Sequence, residues 1–247
     1  MQGVAVQING LQFAYPGAFR PVFAGLDLVI PEGQRFGLFG PNGAGKTTLM
    51  GLMTGLLPVQ GGRIEVGGQT VRDKSVRKRI GLVPQELSFY EDLTPLENLA
   101  FFGAWYGLGG TETRETSGRL LGMLGLDAVA TRKAVQLSGG MKRKLNLAIG
   151  VMHRPAVLFL DEPTVGVDVH TRQELMQYLI ALNRQGTTLV YTSHQLDEAE
   201  ALCDRVALIE GGRIIACDDL PVLLAMHEQK GLEGLFLQLT AKTYPTE

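Results

Sequence analysis

The sequence predicts an α/β protein with a mainly parallel sheet, preceded by an antiparallel β subdomain and interrupted by a helical one. Three observations lead to this fold class. A glycine-rich loop at residues 40–48 lies between a short apolar strand pattern and a helical pattern. Further apolar runs lead into polar residues at Gln85, Asp161 and His194, as strands buried on both faces do. Residues 4–30 instead contain short alternating runs, which are typical of an antiparallel sheet.

Composition limits the size and the partners of this protein. The chain has 247 residues, of which 45% are hydrophobic, so it can form one large domain or a domain with a subdomain. Its formal net charge of −2 gives no overall attraction to nucleic acid or anionic lipid. The basic runs at 72–79 and 142–144 are predicted to be solvated helix faces.

Cysteine content favours a reducing compartment, and hydropathy indicates neither a signal peptide nor a membrane span. Cys203 and Cys217 are too few for a disulfide framework, and both lie among apolar residues, as buried thiols do. The N-terminal residues show no signal-peptide pattern, and the longest uncharged stretch contains Pro and Gly, unlike a membrane span. We therefore expect a soluble, cytoplasmic protein, whose membrane role would come through a partner.

The first elements are three apolar runs at residues 4–8, 11–15 and 26–30, which predict strands of a small antiparallel sheet. Tyr15 ends the second run, just upstream of the glycine-rich loop. Its ring can stack on a nucleotide base or pack within the sheet, and the local pattern favours packing.

The glycine-rich loop follows the pattern G-x-x-x-x-G-K-[ST] of a phosphate-binding loop, although a chance match in a glycine-rich chain is the bland alternative. Its glycines permit tight turns, and successive N–H groups form an anion-binding nest at the positive end of a helix. Lys46 is predicted to reach the β- and γ-phosphates, and Thr47 to ligate Mg²⁺. The residues predicted to bind nucleotide here are Gly40, Pro41, Asn42, Gly43, Ala44, Gly45, Lys46, Thr47 and Thr48.

Four further candidates stand where predicted strands end, which is the edge at which open α/β sheets bind ligands. Asp161 can hold Mg²⁺ and Glu162 can orient or deprotonate a water, unless the pair is only a solvated strand end. Gln85 can touch a metal or a water. His194 can hydrogen-bond a phosphate or a polarised water, although a lone histidine is more often structural.

Two intervening segments each admit a structural and a functional interpretation. Ser138-Gly139-Gly140 opens an amphipathic helix, so Ser138 is an N-cap or, with the glycines, part of a second anion site. Aromatic residues crowd positions 86–105 and form either a core or a docking surface. Helical patterns fill about 95–126, and Thr94-Pro95-Leu96-Glu97 predicts the start of the first helix.

As a set, these motifs resemble the ATP-binding-cassette family, in particular the nucleotide-binding subunits of ABC transporters. The likeness covers about residues 4–220 and follows the family's motif order. Tyr15 falls where the family stacks adenine. The matching motifs are Walker A at Gly40–Thr48, the Q-loop at Gln85, the signature at Leu137–Met141, Walker B with the catalytic glutamate at Val157–Glu162, the D-loop at Val165–Asp168 and the switch histidine at His194.

Some positions depart from the common family pattern. Met141 stands where many members carry glutamine, and the D-loop reads Val-Gly-Val-Asp at 165–168 rather than Ser-Gly-Leu-Asp. Both variants look like those of the exporter-type branch, which handles drugs, polysaccharides, lipids or haem-related cargo. Leu232–Thr240 is similar to that branch's short tail motif, within a tail from about 225 that gives a mixed helix and strand signal.

The resemblance implies a P-loop NTPase core that hydrolyses ATP with Mg²⁺. It implies an ATPase domain at 1–220, with a helical subdomain at about 88–155, and a C-terminal extension at 221–247. The implied catalytic residues are Gln85, Glu162 and His194, and the implied metal ligands are Thr47, Gln85 and Asp161. The further nucleotide contacts implied by the resemblance are Tyr15, Ser138, Gly139, Gly140 and Asp168.

It also implies two kinds of partner. Two subunits arranged head to tail would sandwich each ATP between the phosphate loop of one and Ser138-Gly139-Gly140 of the other. A homodimer is expected, and two different subunits remain open. An integral membrane permease would hold the protein on the cytoplasmic face and receive its motion through the Gln85 region, with no nucleic acid involved. The alternatives are a soluble ABC ATPase acting on a non-membrane macromolecule and a non-hydrolysing sensor, against which Glu162 and His194 argue.

Overall fold

Two β-sheets and eight α-helices make up the protein in this computed structural model, which describes residues 3–193 and 195–241. The strands are β1 (Val4–Phe13), β2 (Phe23–Pro31), β3 (Arg35–Phe39), β4 (Gly61–Val66), β5 (Gln69–Thr70), β6 (Ile80–Val83), β7 (Val157–Asp161), β8 (Thr188–Thr192), β9 (Arg205–Glu210) and β10 (Arg213–Asp219). The helices are α1 (Lys46–Met53), α2 (Pro95–Tyr106), α3 (Gly110–Met123), α4 (Gly139–Val151), α5 (Val169–Arg184), α6 (Leu196–Leu202), α7 (Leu220–Met226) and α8 (Leu232–Ala241). Within the described ranges, no helix has the length and apolar character that crossing a bilayer requires.

The larger sheet has the order β10-β9-β3-β8-β7-β6, with β10 antiparallel at one edge and the other five strands parallel. One face packs against the antiparallel sheet and α1, and the other packs against the remaining helices. Strands β3, β7 and β8 are almost wholly buried because both faces are covered. The predicted α/β class is confirmed, and the carboxyl ends of the parallel strands meet at one edge.

The smaller sheet has the order β2-β1-β4-β5 and corrects one prediction. Strand β1 runs from Val4 to Phe13 as a single strand, paired with β2 on one side and β4 on the other. Its register shifts between Ile8 and Leu11, where Gly10 has a φ of 56° and its N–H donates to Asp27 Oδ1 at 2.6 Å. Because a bulge absorbs these residues, the first two apolar runs form one strand instead of two.

The helices α2, α3 and α4 pack on one another around buried leucines. Helix α2 begins where the sequence predicted, with a reciprocal cap. Thr94 Oγ1 accepts from the Glu97 N–H at 3.2 Å, and Glu97 Oε2 accepts from the Thr94 N–H at 2.8 Å. The subdomain bounds at 88–155 and the division of the chain at residue 220 stay predictions.

From about residue 225 the described tail contains the end of α7 and the whole of α8 but no strand, which corrects the mixed helix and strand prediction. Leu232 and Leu235 of α8 are fully buried on the main core, and the Leu232 N–H donates to the Glu200 carboxylate. Apolar residues three positions apart face the core, as a helix requires. Residues 242–247 lie outside the part of the chain that the structure describes.

Candidate functional site

The glycine-rich loop follows β3, near the centre of the larger sheet. Gly45 has a φ of 104°, a left-handed conformation that other residues rarely adopt, and α1 begins at the next residue. Gly40 packs so closely on β9 that an added Cβ would lie 2.1 Å from the Ile209 carbonyl oxygen. Glycine at these positions therefore lets the chain turn sharply into α1, whose first N–H groups are the predicted phosphate ligands.

Lys46 is the first residue of α1, and its ammonium reaches back across the loop. Its Nζ donates to the Gly40 carbonyl at 2.7 Å and to the Pro41 carbonyl at 3.1 Å, and the residue is only 8% exposed. Burial lowers the pKa of Lys46, and the nearby carboxylates of Glu162 and Asp161 oppose that shift. In the structure the predicted lysine is therefore close enough to both predicted carboxylates for their charges to interact.

Asp161 and Glu162 stand at the end of β7 and just beyond it. Asp161 is buried, and its Oδ1 accepts from Thr192 Oγ1 at 2.6 Å. Glu162 has a φ of 47°, and its Oε2 accepts from Gln85 Nε2 at 3.3 Å. The two side chains predicted to handle water are therefore in contact, although Gln85 lies in the loop after β6 rather than at the strand end. His194 lies outside the described residues, so its role stays a prediction.

A cavity of about 620 Å³ opens in front of the phosphate loop. Tyr15 forms one wall: its hydroxyl lies 3.1 Å from Thr48 Oγ1, and its ring packs edge-on against Phe13 with the centroids 5.0 Å apart. Its exposed fraction of 45% leaves the ring accessible, which favours base stacking over a packed sheet residue. The residues that line the cavity are Tyr15, Val22, Asn42, Gly43, Gly45, Lys46, Thr47, Thr48, Gln85, Glu162 and Val165.

The second glycine-rich turn and the D-loop aspartate both cap helices. Ser138 is the N-cap of α4, where its Oγ accepts from the Met141 N–H at 3.3 Å, and both Ser138 and Gly139 are exposed. Asp168 is the N-cap of α5, and the hydrogen bond from the Thr171 N–H at 2.9 Å lowers the Asp168 pKa. Neither cap lines the cavity, so within the described residues the two glycine-rich turns form separate surfaces.

Helix α4 also carries contacts that no local sequence pattern indicated. Arg143 Nη1 donates to the Gln85 carbonyl at 2.5 Å, and its Nε donates to the Val165 carbonyl at 3.3 Å. The flanking Lys142 and Lys144 form ion pairs with glutamates of other segments, and their side chains are only 17% and 12% exposed. The prediction of a solvated face for this basic run is therefore wrong, because the four partners, Gln85, Val165, Glu91 and Glu174, come from distant parts of the chain.

The oxygen atoms near the loop fit a Mg²⁺ ion that arrives with a nucleotide. Mg²⁺ usually takes one or two protein oxygens and completes its shell with phosphates and water. Asp161 and Thr47 offer such oxygens, and the hydrogen bond from Gln85 to Glu162 uses the amide nitrogen rather than the amide oxygen. Among the described residues, no group of three or more His, Cys, Asp or Glu could hold a metal by itself.

A phosphate loop at the centre of a parallel sheet, with a lysine and two carboxylates around it, defines a nucleotide-binding α/β protein. The family model described as ABC transporter matches residues 23–165. The chain therefore belongs to the ABC transporter family.

Similar proteins agree with this assignment. The chain is 41% identical over 213 residues to the linearmycin resistance ATP-binding protein LnrL of Bacillus subtilis (strain 168), covering 85% of this chain and 68% of that protein. It is 37% identical over 229 residues to the Nod factor export ATP-binding protein I of Rhizobium sp. (strain N33), covering 92% and 75%. Both relatives carry resistance or export in their names, as the resemblance to the exporter-type branch led us to expect.

Solved structures give the same result. An ATP-binding subunit of an ABC transporter superposes with a TM-score of 0.87 at 25% identity, covering 96% of this chain and 99% of that one. A dimeric, post-hydrolysis ATP-binding cassette bound to ADP and Pi superposes with a TM-score of 0.79 at 25% identity, covering 87% and 98%. The protein is an ATP-binding and ATP-hydrolysing subunit of an ABC transporter, and this reading prevails over a soluble ATPase with a non-membrane partner.

Proposed function

We propose that this chain powers the export of a substrate through a separate membrane permease, to which it binds on the cytoplasmic face. The names of the relatives support export, as do Met141 and the D-loop variant at 165–168. The hydrogen bond from Gln85 to Glu162 is the observation that supports a link between ATP hydrolysis and the permease. It joins the proposed catalytic group to the loop that leads into α2, which carries the exposed Phe101 and Trp105.

The proposed binding step uses the groups around the cavity. The loop N–H groups and Lys46 hold the β- and γ-phosphates, and Tyr15 stacks on the adenine. When bound through Thr47, Asp161 and the Gln85 amide oxygen, Mg²⁺ would neutralise charge on the phosphate oxygens. The burial of Lys46 supports this role, because a charge interaction is stronger where water is excluded.

The proposed chemical step is attack of a water on the γ-phosphorus. Glu162 orients this water and accepts its proton as the new P–O bond forms and the bond to the β–γ bridging oxygen breaks. The products are ADP and phosphate. The Gln85 amide fixes the Glu162 carboxylate, and His194 is proposed to hydrogen-bond the γ-phosphate.

A head-to-tail pair of these chains would complete each site. Ser138 caps α4, a helix of 13 residues that begins with Gly139 and Gly140, and none of the three lines the cavity of their own chain. Their N–H groups and the helix dipole suit an anion. The γ-phosphate held by one chain would then bridge to this turn of the second chain, with Asp168 beside it. The dimeric ADP-bound relative supports such pairing.

The permease is proposed to dock on an apolar face made of Leu87 and the aromatic residues Tyr90, Phe101 and Trp105. All four are exposed, Trp105 by 78%, and the Tyr90 and Phe101 rings meet edge to face with centroids 4.9 Å apart. Exposed apolar patches of this kind mark interaction sites. Trp105→Ala should lower the yield of permease that co-purifies with the chain from solubilised membranes and leave the ATPase rate of the isolated subunit unchanged.

Glu162→Gln tests hydrolysis and pairing together. The amide keeps the size of the side chain but is a far weaker base, so turnover should fall by about 10²-fold or more. ATP should still bind, and the uncleaved γ-phosphate should hold two chains together. Size-exclusion chromatography should therefore show a stable dimer of the variant with Mg-ATP and a monomer with ADP.

Glu115→Gln is the matched control, because Glu115 is an exposed carboxylate of α3 away from the cavity. It should hydrolyse ATP at the normal rate and show no stable dimer. A Glu162→Gln protein that binds ATP but stays monomeric would contradict self-association of this chain.

A further inference from the structure

Helix α4, which follows the second glycine-rich turn, is hydrogen-bonded to the loop that contains Gln85. Asn146 Nδ2 donates to the Pro84 carbonyl at 3.2 Å, and Asn146 Oδ1 accepts from the Ser88 N–H at 3.1 Å. Arg143, one turn earlier on the same face of α4, donates to the Gln85 carbonyl at 2.5 Å. Three hydrogen bonds therefore fix this loop to α4, and a shift of the helix must carry the loop with it.

Arg143 adds a second attachment, to the D-loop. Its Nε donates to the Val165 carbonyl at 3.3 Å, so one guanidinium holds two segments that are 80 positions apart in the chain, residues 85 and 165. Arg143 reaches the two carbonyls with two different nitrogens of one rigid planar group, Nε and Nη1, whereas a lysine has only one nitrogen and cannot reproduce that geometry. Both residues whose carbonyls Arg143 holds, Gln85 and Val165, line the nucleotide cavity.

The charge environment places this guanidinium next to the reacting groups. Burial lowers the pKa of Arg143, and the carboxylate of Glu162 opposes that shift. Arg143 is half-buried, and it remains cationic because arginine does not lose its proton in proteins. Its hydrogen bonds reach two cavity-lining residues through their backbone carbonyls, and its positive charge interacts with the Glu162 carboxylate.

We propose that Arg143 is a positioning residue that couples the two ATP sites of the dimer through a single chain. This inference rests on the head-to-tail pairing proposed above. ATP held by the partner subunit would engage Ser138-Gly139-Gly140 and fix the start of α4. Arg143, five residues along the same rigid helix, then fixes Gln85 and Val165 around the ATP of its own chain. Occupation of one site thereby organises the other, which is a coupling free energy between sites.

The test is the ATP dependence of the hydrolysis rate in the full chain. Wild-type rates should rise sigmoidally with ATP concentration, with a Hill coefficient between 1 and the limit of about 2 set by two sites. Arg143→Ala and Arg143→Lys should both give a coefficient near about 1, with kcat lowered by about tenfold, since each loses a charged hydrogen bond. The ATP affinity of the monomer should change much less than kcat, because Arg143 contacts the cavity only through the backbone carbonyls of Gln85 and Val165.

Lys142→Ala is the matched control. Lys142 is the neighbouring cation on α4, it pairs with Glu91, and neither residue lines the cavity. This variant should retain sigmoidal kinetics. A role of Arg143 in stability alone would lower the melting temperature and leave the Hill coefficient of the folded fraction unchanged. That result would overturn the proposal, as would hyperbolic kinetics of the wild-type protein.

A companion experiment separates this proposal from the pairing on which it rests. Arg143→Ala is placed in the Glu162→Gln background and compared with Glu162→Gln alone by size-exclusion chromatography with Mg-ATP. Dimers in both proteins, together with a wild-type Hill coefficient for Arg143→Ala, would overturn the coupling role and keep the pairing. Monomers in both would overturn the pairing and the coupling with it.

Discussion

The two glycine-rich turns of this protein present the same local chemistry in opposite surroundings. Gly40–Thr48 and Ser138–Gly140 both lead into a helix N-terminus with free N–H groups and a positive dipole end. The first turn lies against a cavity walled by Tyr15, Gln85 and Glu162 of the same chain. The second turn is exposed, and its serine caps its own helix.

The difference shows that surroundings decide what an anion-binding turn does. The first turn has a lysine that is 8% exposed and carboxylates close enough to shift its pKa, so it can bind a nucleotide within one chain. The second is exposed and lies outside that cavity, which agrees with the shared site proposed above. A γ-phosphate held elsewhere would supply the missing anion.

The largest expected effect comes from blocking the second turn. Ser138→Arg places a long side chain where the second chain's phosphate would lie. Turnover should fall by about 10²-fold or more, the loss seen when one donor to a transition-state charge is removed. ATP binding by the monomer, measured by calorimetry, should stay intact.

Thr94→Arg is the control for this change, because it also replaces an N-cap but lies at a helix start without glycines. It should keep normal turnover. Normal turnover of Ser138→Arg would break the contrast between the turns, since the second one would then be only a cap.

Lys46→Ala should produce the next largest effect, and it should weaken ATP binding as well as lower the ATPase rate. Removing the ammonium deletes charged hydrogen bonds to the phosphates, so ATP affinity should fall by roughly 100-fold. Calorimetry of the isolated chain is the measurement, and thermal unfolding without nucleotide checks that the loop has not collapsed. If Lys46→Ala bound ATP as tightly as the wild type, the first turn could not be assigned as the turn that binds the nucleotide phosphates.

Tyr15→Ala should weaken ATP binding by about 1–3 kcal/mol, the range for stacking of a base on an aromatic ring. Tyr15→Phe keeps the ring and loses only the contact with Thr48 Oγ1, so it should bind ATP nearly as well as the wild type. Inorganic triphosphate has no base, and its affinity should be the same for all three proteins. An equal loss for triphosphate would exclude stacking.

The smallest effect separates capping from anion binding. Ser138→Ala and Thr94→Ala each remove a side-chain cap, so each should lower the free energy of unfolding by about 1 kcal/mol. Urea denaturation measures this loss. If the turns differ as proposed, turnover should also fall in Ser138→Ala but stay unchanged in Thr94→Ala. Equal turnover in both proteins would reduce the second turn to a structural cap.

Local chemistry explains which features could be predicted from the sequence. The phosphate loop needs glycines, a lysine and a helix start within a few residues, so its pattern can be recognised in the sequence alone. Asp161 and Glu162 are candidates for the same reason, since a buried apolar strand leads directly into them. The α/β class followed from the same strand patterns.

Features that depend on distant partners could not be predicted in this way. Gly10 forms a bulge because β2 and β4 continue past it on both sides, and this merges two apolar runs into one strand. In the sequence Arg143 is indistinguishable from part of a basic surface run. Its acceptors are the backbone carbonyls of Gln85 and Val165, and a backbone carbonyl gives no sequence signal. Only the packing of α4 brings those carbonyls within reach.

The left-handed backbone of Glu162 has a consequence for selection. A residue other than glycine at a φ of 47° costs about 1 kcal/mol or more, and nearby contacts must hold it there. Glycine at this position would relieve the strain and remove the carboxylate that the proposed hydrolysis requires. Selection for heat resistance alone would therefore tend to enrich Glu162→Gly, and the proposed hydrolysis would be lost with the carboxylate.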